Sequence, residues 1–321
     1  MAAERWALVT PVFEDRESFG ALCRALAAQP LGIELHVVAV DDGSLIAPPV
    51  HEDIAEAGLS GEVLHLARNV GHQAAIAIGL IHAASLDRLA GCIVMDSDGE
   101  DAPEALSSLI AAIRSGNFDV AVAQRAKRSE SLLFRTFYSL YRQAFRLLTG
   151  QVIRFGNFMV LTPRALRRLA AMHETWTHVA GAVVKARLRR AEIPTNRAKR
   201  YFGQSKMNFV SLVLHGMRAV MVFGDAVVTR MTVVCGLMAG LTSISIAMAV
   251  LLKLVGMATP GWVTSVTGFS LSLFLQTGIL AMITLLMNGT SRVEAPAALA
   301  ERARATIESI ERAPAVQKVR A

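Results

Sequence analysis

Two long runs without a charged side chain, Met231–Leu252 and Val263–Met287, constrain this chain more than any other feature. Each is longer than 20 residues, and a helix of about 20 apolar residues spans the ~30 Å hydrocarbon core of a bilayer. A buried helix of a soluble protein seldom runs so far without a charge, so both runs read as transmembrane helices. The link Lys253–Trp262 carries one cation, whereas the flanks before Met231 and after Asn288 are rich in Lys and Arg. The positive-inside rule places both flanks, and with them everything upstream, on the cytoplasmic side.

Composition agrees with this division. Of 321 residues, 53% are hydrophobic and 18% charged, with a mean hydropathy of +0.42, high for a soluble protein and concentrated in the hairpin. A net charge of +7 implies anionic partners: a phospholipid surface, nucleic acid or a phosphorylated substrate. The adjacent membrane segments account for the charge, so no nucleic-acid partner is expected. Cys23, Cys92 and Cys235 lie far apart without metal-ligand spacing and read as reduced, buried fillers. The N-terminus shows no basic-then-apolar signal pattern and opens directly on a strand.

Upstream, short apolar runs alternate with helical patterns to about residue 125, the signature of a parallel sheet wrapped by helices. Strands are expected at Ala7–Val12, Leu35–Val40, Glu62–Leu66, Gly91–Met95, Asp119–Ala123 and Phe155–Leu161. Helices are expected at Ser18–Ala28, Ala74–Ser85, Pro103–Ser115, Leu132–Leu148 and Pro163–Met172. From Lys185 to Lys206 cations dominate, which reads as a basic face near the membrane. Val210–Val228, interrupted by His215, Arg218 and Asp225, fits a helix lying in the headgroup plane. The tail from Ala297 to Arg312 is expected to be an exposed or partner-packing helix. The expected division is a cytosolic domain over 1–204, interfacial helices over 205–230, the hairpin over 231–287 and a cytosolic tail over 288–321.

The fourth strand ends in Asp96-Ser97-Asp98-Gly99-Glu100-Asp101-Ala102-Pro103, four carboxylates within six residues. Such a cluster repels itself unless a positive group sits among the carboxylates. It reads either as a site for Mg²⁺ or Mn²⁺ with substrate phosphates or as an acidic cap on the next helix. Ligands of open α/β sheets lie outside the carboxyl ends of the strands. Pro11 to Asp15, Asp41-Asp42 and Asp96–Asp101 all fall at such ends, and their convergence favours the metal. An acidic crevice suits a nucleotide diphosphate, and the basic region after it suits an anionic lipid headgroup.

Several motifs occur in series: Asp41-Asp42-Gly43-Ser44, Arg68-Asn69-x-Gly71-His72-Gln73-x-Ala75, Asp96-x-Asp98-x-x-Asp101-x-Pro103-Glu104 and Arg200-x-x-Gly203-x-Ser205-Lys206. In order and spacing they resemble the polyprenyl-phosphate glycosyltransferases of glycosyltransferase family 2, and the Gly-His-Gln stretch with two trailing transmembrane helices resembles the bacterial undecaprenyl-phosphate branch. The resemblance covers roughly residues 7–290. It implies an α/β GT-A fold, mainly a parallel sheet. It also implies inverting transfer of a sugar from a nucleotide-diphosphate donor to a polyprenyl phosphate, at the cytoplasmic face of a bacterial inner membrane, with Mg²⁺ or Mn²⁺. By motif, Pro11, Asp15, Asp42 and Asp96 are implied to bind the nucleotide sugar, and Asp96, Asp98 and Glu100 to hold the metal. Arg125, Arg135, Ser139, Arg200 and Lys206 are implied to bind acceptor phosphate or donor diphosphate, with Asp98, Arg125 and Arg135 the catalytic set. A phosphate acceptor is already ionised at neutral pH, so positioning and charge screening matter more than a strong base.

Three positions depart from the family's pattern. Asp15 stands where a glutamate is usual, Glu100 where a glutamine is usual, and Asn157 replaces the aspartate of a Gly-Asp-Phe/Tyr motif. Relatives form tetramers through their membrane helices. Gly236 and Gly240 form a Gly-x-x-x-Gly pair that permits close helix approach, between chains or within the hairpin. Two rival readings are a family 2 enzyme with another acceptor and a catalytically weak membrane scaffold.

Overall fold

The register of the first strand against its neighbours decides where every acidic loop falls. In a computed structural model of the chain, β1 (Arg5–Val12) is buried from Trp6 to Val12, as expected of a strand covered on both faces. Helix α1 (Arg16–Ala27) leads to β2 (Glu34–Asp41), α2 (His51–Glu56) to β3 (Ser60–Leu66), and α3 (His72–Ala84) to β4 (Gly91–Val94). A single 3₁₀ turn from Pro103 opens α4 (Leu106–Arg114), followed by β5 (Val120–Arg125), α5 (Leu132–Thr149) and β6 (Met159–Leu161). Then come α6 (Pro163–Ala170), α7 (Glu174–Thr177), α8 (Val179–Lys185) and β7 (Arg190–Thr195). Helix α9 (Phe209–Met221) precedes the long helices α10 (Gly224–Leu254) and α11 (Trp262–Gly289), and the chain closes with α12 (Pro296–Thr306) and β8 (Ile307–Arg312). The structure describes residues 4–125, 132–196, 198–203, 209–257, 259, 261–289 and 294–313.

Among the described residues the strands form one sheet in the order β7-β5-β6-β4-β1-β2-β3-β8. Strand β1 is parallel to both β2 and β4, pairing Val12 with Asp41 and Val9 with Val94, so the loops after these three strands emerge side by side. Strand β6 runs antiparallel between β4 and β5, and β8 runs antiparallel along β3. One face is filled by Trp6, Leu8, Phe19, Leu22, Ile93 and Ile110, which brings in α1 and α4. Helix α3 covers the other face against β1 and β2. Its small residues allow close approach: a Cβ at Gly79 would sit 2.5 Å from Val9 Cγ1 and 2.9 Å from Val40 Cγ2. Gly79→Val is therefore expected to lower stability by about 1–3 kcal/mol through overpacking, read as a lower melting temperature; an unchanged melting temperature contradicts this packing.

The chain divides into two compact units. One comprises Met1–Arg135, Ile153–Val222 and Glu294–Ala321, and holds the sheet; the other comprises Thr136–Val152 and Phe223–Val293. Within the second, α10 and α11 pack along each other. Arg230 Nη1 donates to the carbonyls of Arg146 and Leu147 at 3.3 and 2.7 Å, and Phe145 meets Phe223 edge-on.

Four readings of the sequence change. The strand expected over Phe155–Leu161 is a strand only at Met159–Leu161. The basic stretch from Lys185 contains strand β7, whose Pro194 is tolerated because β7 is an edge strand. The stretch Val210–Val228 is not one helix: α9 ends at Met221 and α10 begins at Gly224, continuing into the apolar run. The tail is helical only to Thr306, after which Ile307–Arg312 joins the sheet edge as β8.

Candidate active site

The three acidic loops meet at the carboxyl ends of β1, β2 and β4, but most of their carboxylates are engaged by the protein itself. Asp15 caps α1, accepting from Ser18 N at 3.4 Å. Asp42 is buried and accepts from Val70 N at 2.7 Å and Gly71 N at 3.0 Å, which ties the end of β2 to the turn before α3. Burial pushes the Asp42 carboxyl up, and these two backbone N–H groups oppose that shift. Pro11 offers its carbonyl to Ser97 Oγ at 3.1 Å. Glu14, which was assigned no role from sequence, has its carboxylate within 2.7–3.3 Å of the N–H groups of Leu45, Ile46 and Ala47. It thereby fastens the β1 loop to the β2 loop.

The Asp96–Asp101 loop is folded around its own backbone and one arginine. Asp101 Oδ2 accepts from Asp96 N at 3.0 Å, and Asp98 Oδ1 accepts from Glu100 N at 2.9 Å. Gly99 takes a positive φ of 86°, and a Cβ there would lie 2.6 Å from the Tyr201 ring, so both conformation and contact favour glycine. Arg200 donates to Asp98 through Nη2 and to Glu100 through Nε at 3.3 Å. The segment is laid alongside by Ala198 N to Glu100 O at 3.1 Å and Tyr201 N to Asp98 O at 3.0 Å. Arg200, implied by motif to bind phosphate, here supplies the positive charge that the carboxylate cluster needs. Burial raises the Asp98 pKa, aided by Asp96 and opposed by the Glu100 N–H and by Arg200.

Asp96 turns the other way, toward a polar chain that sequence reasoning did not assemble. His72 Nε2 lies 3.3 Å from Asp96 Oδ1 and 3.0 Å from Asn157 Nδ2. Gln73 is oriented by accepting from Val179 N at 2.7 Å, which leaves its amide to donate to Asn157 Oδ1 at 3.4 Å. Burial works against a charged His72, but Asp96, Asp42 and Asp98 outweigh it and raise the ring's pKa. Asn157 Nδ2 thus faces the same His72 nitrogen that Asp96 does. The Gly-His-Gln spelling was the available signal for His72 and Gln73; nothing in it marks their partners.

Deeper in the same unit, His178 Nε2 and His215 Nε2 are 3.1 Å apart, with ring centroids at 4.5 Å. His178 Nδ1 accepts from Gly181 N at 2.9 Å and so caps α8, which places the His178 proton on Nε2. Burial, then the neighbouring His215, pushes His178 down to about 3. A histidine with a depressed folded pKa stabilises above its unfolded value near 6.5 and loses that stability as pH falls through the window from about 6.5 to 3. Thermal stability is therefore expected to fall more steeply on acidification in the wild type than in His178→Asn, which keeps an acceptor for Gly181. Parallel acid limbs would show that the ring does not titrate this way.

Of the remaining residues named from sequence, Arg125 ends β5 opposite Thr195 and Arg135 lies on α5; their side chains fall outside the described residues, as does Lys206. Ser139 is exposed on α5 in the second compact unit.

The profile of Glycosyl transferase family 2 matches residues 7–193, more than half of the chain, and the chain belongs to that family. Among solved structures it is similar to glucosyl-3-phosphoglycerate synthase from Mycobacterium tuberculosis in complex with Mn²⁺, uridine-diphosphate-glucose and phosphoglyceric acid. The match has a TM-score of 0.52 at 12% identity over 70% of this chain and 80% of that one. A second structure of that complex gives 0.50 at 14% identity over 71% and 79%. The complex with Mn²⁺, uridine-diphosphate and phosphoglyceric acid gives 0.51 at 11% over 70% and 78%. The fold is the α/β GT-A fold with a mainly parallel sheet.

Proposed function

We propose that the chain transfers a sugar, with inversion, from a nucleotide-diphosphate donor to polyprenyl (undecaprenyl) phosphate at the cytoplasmic face of a bacterial inner membrane. The observation that carries this reading is a family 2 domain continuous with two helices long and apolar enough to cross a membrane, Gly224–Leu254 and Trp262–Ile283. Their side chains support it: Leu241, Ile244, Phe269 and Leu275 are all well exposed, an arrangement that water penalises and lipid does not. Helix α9 adds an exposed apolar stripe at Leu214, Met217 and Met221, spaced as one helix face, which suits the headgroup region. A lipid acceptor explains why a soluble donor site would be carried on such an anchor.

The acceptor phosphate oxygen attacks the anomeric carbon as the bond from that carbon to the nucleoside diphosphate breaks. The carboxylates of Asp96, Asp98 and Glu100 are hard oxygen donors of the kind that Mg²⁺ or Mn²⁺ takes; a cation held by them would screen the charge of the departing diphosphate. The similar synthase structures contain Mn²⁺ with a uridine diphosphate, which makes a uridine-diphosphate sugar the first donor to test. Arg200 is the guanidinium held at this loop, and it supplies a fork that matches phosphate oxygens. Asp42 and Glu14 fix the β2 loop and keep the nucleotide end of the crevice preorganised. Arg125, Arg135, Ser139 and Lys206 are proposed to meet the acceptor phosphate.

Arg200→Ala is expected to lower transfer by about tenfold to a hundredfold through loss of charge-assisted phosphate contacts, with Arg200→Lys intermediate because a point charge replaces the fork. Initial rates on membranes decide it. Equal rates in all three proteins would remove Arg200 from the site.

A further inference from the structure

Helix α9 carries two polar side chains, His215 and Arg218, to which the proposed reaction gives no role. One side of the helix is docked on α8. The His215 ring rests against that of His178, and Val222, just past the helix end, lies 3.2 Å from where a Cβ of Gly181 would sit. Lys185 Nζ, paired with Glu174 Oε1 at 2.9 Å, donates to the Val222 carbonyl at 3.1 Å. The backbone sets the direction of the histidine pair. Gly181 N can only donate, so His178 Nδ1 accepts and His178 Nε2 carries the proton. That proton is directed at His215 Nε2, 3.1 Å away, so a neutral His215 bears its own proton on Nδ1. Burial, then the charges of His72 and Arg218, holds His215 below its ordinary pKa, with Asp96 opposing. The ring is thus a neutral donor near pH 7, within electrostatic reach of the crevice. Among the described residues, His215 Nδ1 makes no hydrogen bond and Arg218 no ion pair.

We propose that His215 Nδ1 and Arg218 bind the phosphate of the polyprenyl phosphate acceptor, with His178 positioning the His215 ring and the isoprenoid chain lying along α9. This rests on the lipid acceptor proposed above and adds two donors to its phosphate set. The order of side chains around the helix supports it. At about 100° per residue, the exposed Leu214, Met217 and Met221 form one stripe, Arg218 borders it, and His215 comes next at the edge of the docked face. An N–H donor and a guanidinium suit phosphate oxygens, and the adjoining stripe suits an apolar tail. A nucleoside diphosphate has the charge to meet the first but nothing to cover the second.

The test is retention of radiolabelled undecaprenyl phosphate, compared with undecaprenol, by the full-length protein in detergent. The wild type is expected to prefer the phosphate. His215→Phe and Arg218→Ala are each expected to lower the ratio of phosphate to alcohol retained about tenfold, the worth of one hydrogen bond to a charged group, with undecaprenol retention unchanged. His215→Gln, whose amide both accepts and donates, is expected to restore most of the ratio. Arg218 is exposed, so Arg218→Ala remains informative if His215→Phe fails to fold. A wild type that holds both lipids alike removes the polyprenyl phosphate acceptor and this site with it. A wild type that discriminates, with His215→Phe and Arg218→Ala discriminating equally well, keeps the acceptor and overturns the site. Displacement of the lipid by an equal concentration of inorganic phosphate assigns a soluble phosphate ligand and overturns the lipid site.

Discussion

Replacing Asp98 by alanine is expected to cut sugar transfer at least about a hundredfold, some 2.7 kcal/mol of transition-state stabilisation. The size follows from what the side chain does. It carries one of the three carboxylates of the proposed diphosphate–metal loop, it accepts from Glu100 N to shape that loop, and it holds Arg200 in place. Alanine removes all three roles, so Asp98→Asn serves to separate them. The amide retains an acceptor for Glu100 N but loses the charge. Both variants are expected to be inactive, with the asparagine form keeping the wild-type circular dichroism. If Asp98→Asn transfers sugar at the wild-type rate, the carboxylate charge has no part in the reaction.

The second large effect concerns the medium around α10. Leu241 lies near the middle of this helix and is 61% exposed. In water, exchanging an exposed leucine for arginine costs almost nothing and improves solubility. At the centre of a membrane span the same exchange costs roughly 3–4 kcal/mol, a shift of several hundredfold in insertion. Leu241→Arg is therefore expected to lose resistance to alkaline carbonate extraction, whereas Leu241→Met keeps it. A Leu241→Arg protein that stays in the membrane fraction as the wild type does would place α10 outside the bilayer.

Which parts of this molecule could be read from its sequence follows from where the physics is local. The buried parallel strands announce themselves as apolar runs because both faces are covered, and the ends of β1, β2 and β4 fell close to the expected residues. The two long apolar helices were legible because nothing but length and the absence of charge is needed to define them. Strands β7 and β8 were not legible: both lie at sheet edges, in segments dominated by charge, and Ile307–Arg312 has apolar side chains only at Ile307 and Ile310, a spacing that does not mark a strand. β8 is a strand only because the exposed edge of β3 offers it hydrogen bonds, a long-range fact.

The site divides in the same way. The carboxylate cluster was plain from spacing. That Asp15 caps α1 is a local matter, but that Asp42 and Glu14 are consumed by backbone N–H groups and that Arg200 lies across Asp98 and Glu100 depend on contacts spanning 28 to 102 residues of chain. His72 was visible inside a motif, but its placement between Asp96 and Asn157 needs α3 to sit on β1 and β2, which the small residues of that helix allow.

The central claim is the lipid acceptor, and one measurement addresses it most directly. Membranes containing the chain are incubated with radiolabelled uridine-diphosphate sugars, and then with other sugar nucleotides, together with undecaprenyl phosphate, and the label is partitioned into organic solvent. The account predicts lipid-soluble label that needs added polyprenyl phosphate and a divalent cation and that is missing with Asp98→Ala. Label that appears only in a water-soluble product, with undecaprenyl phosphate making no difference, would contradict it.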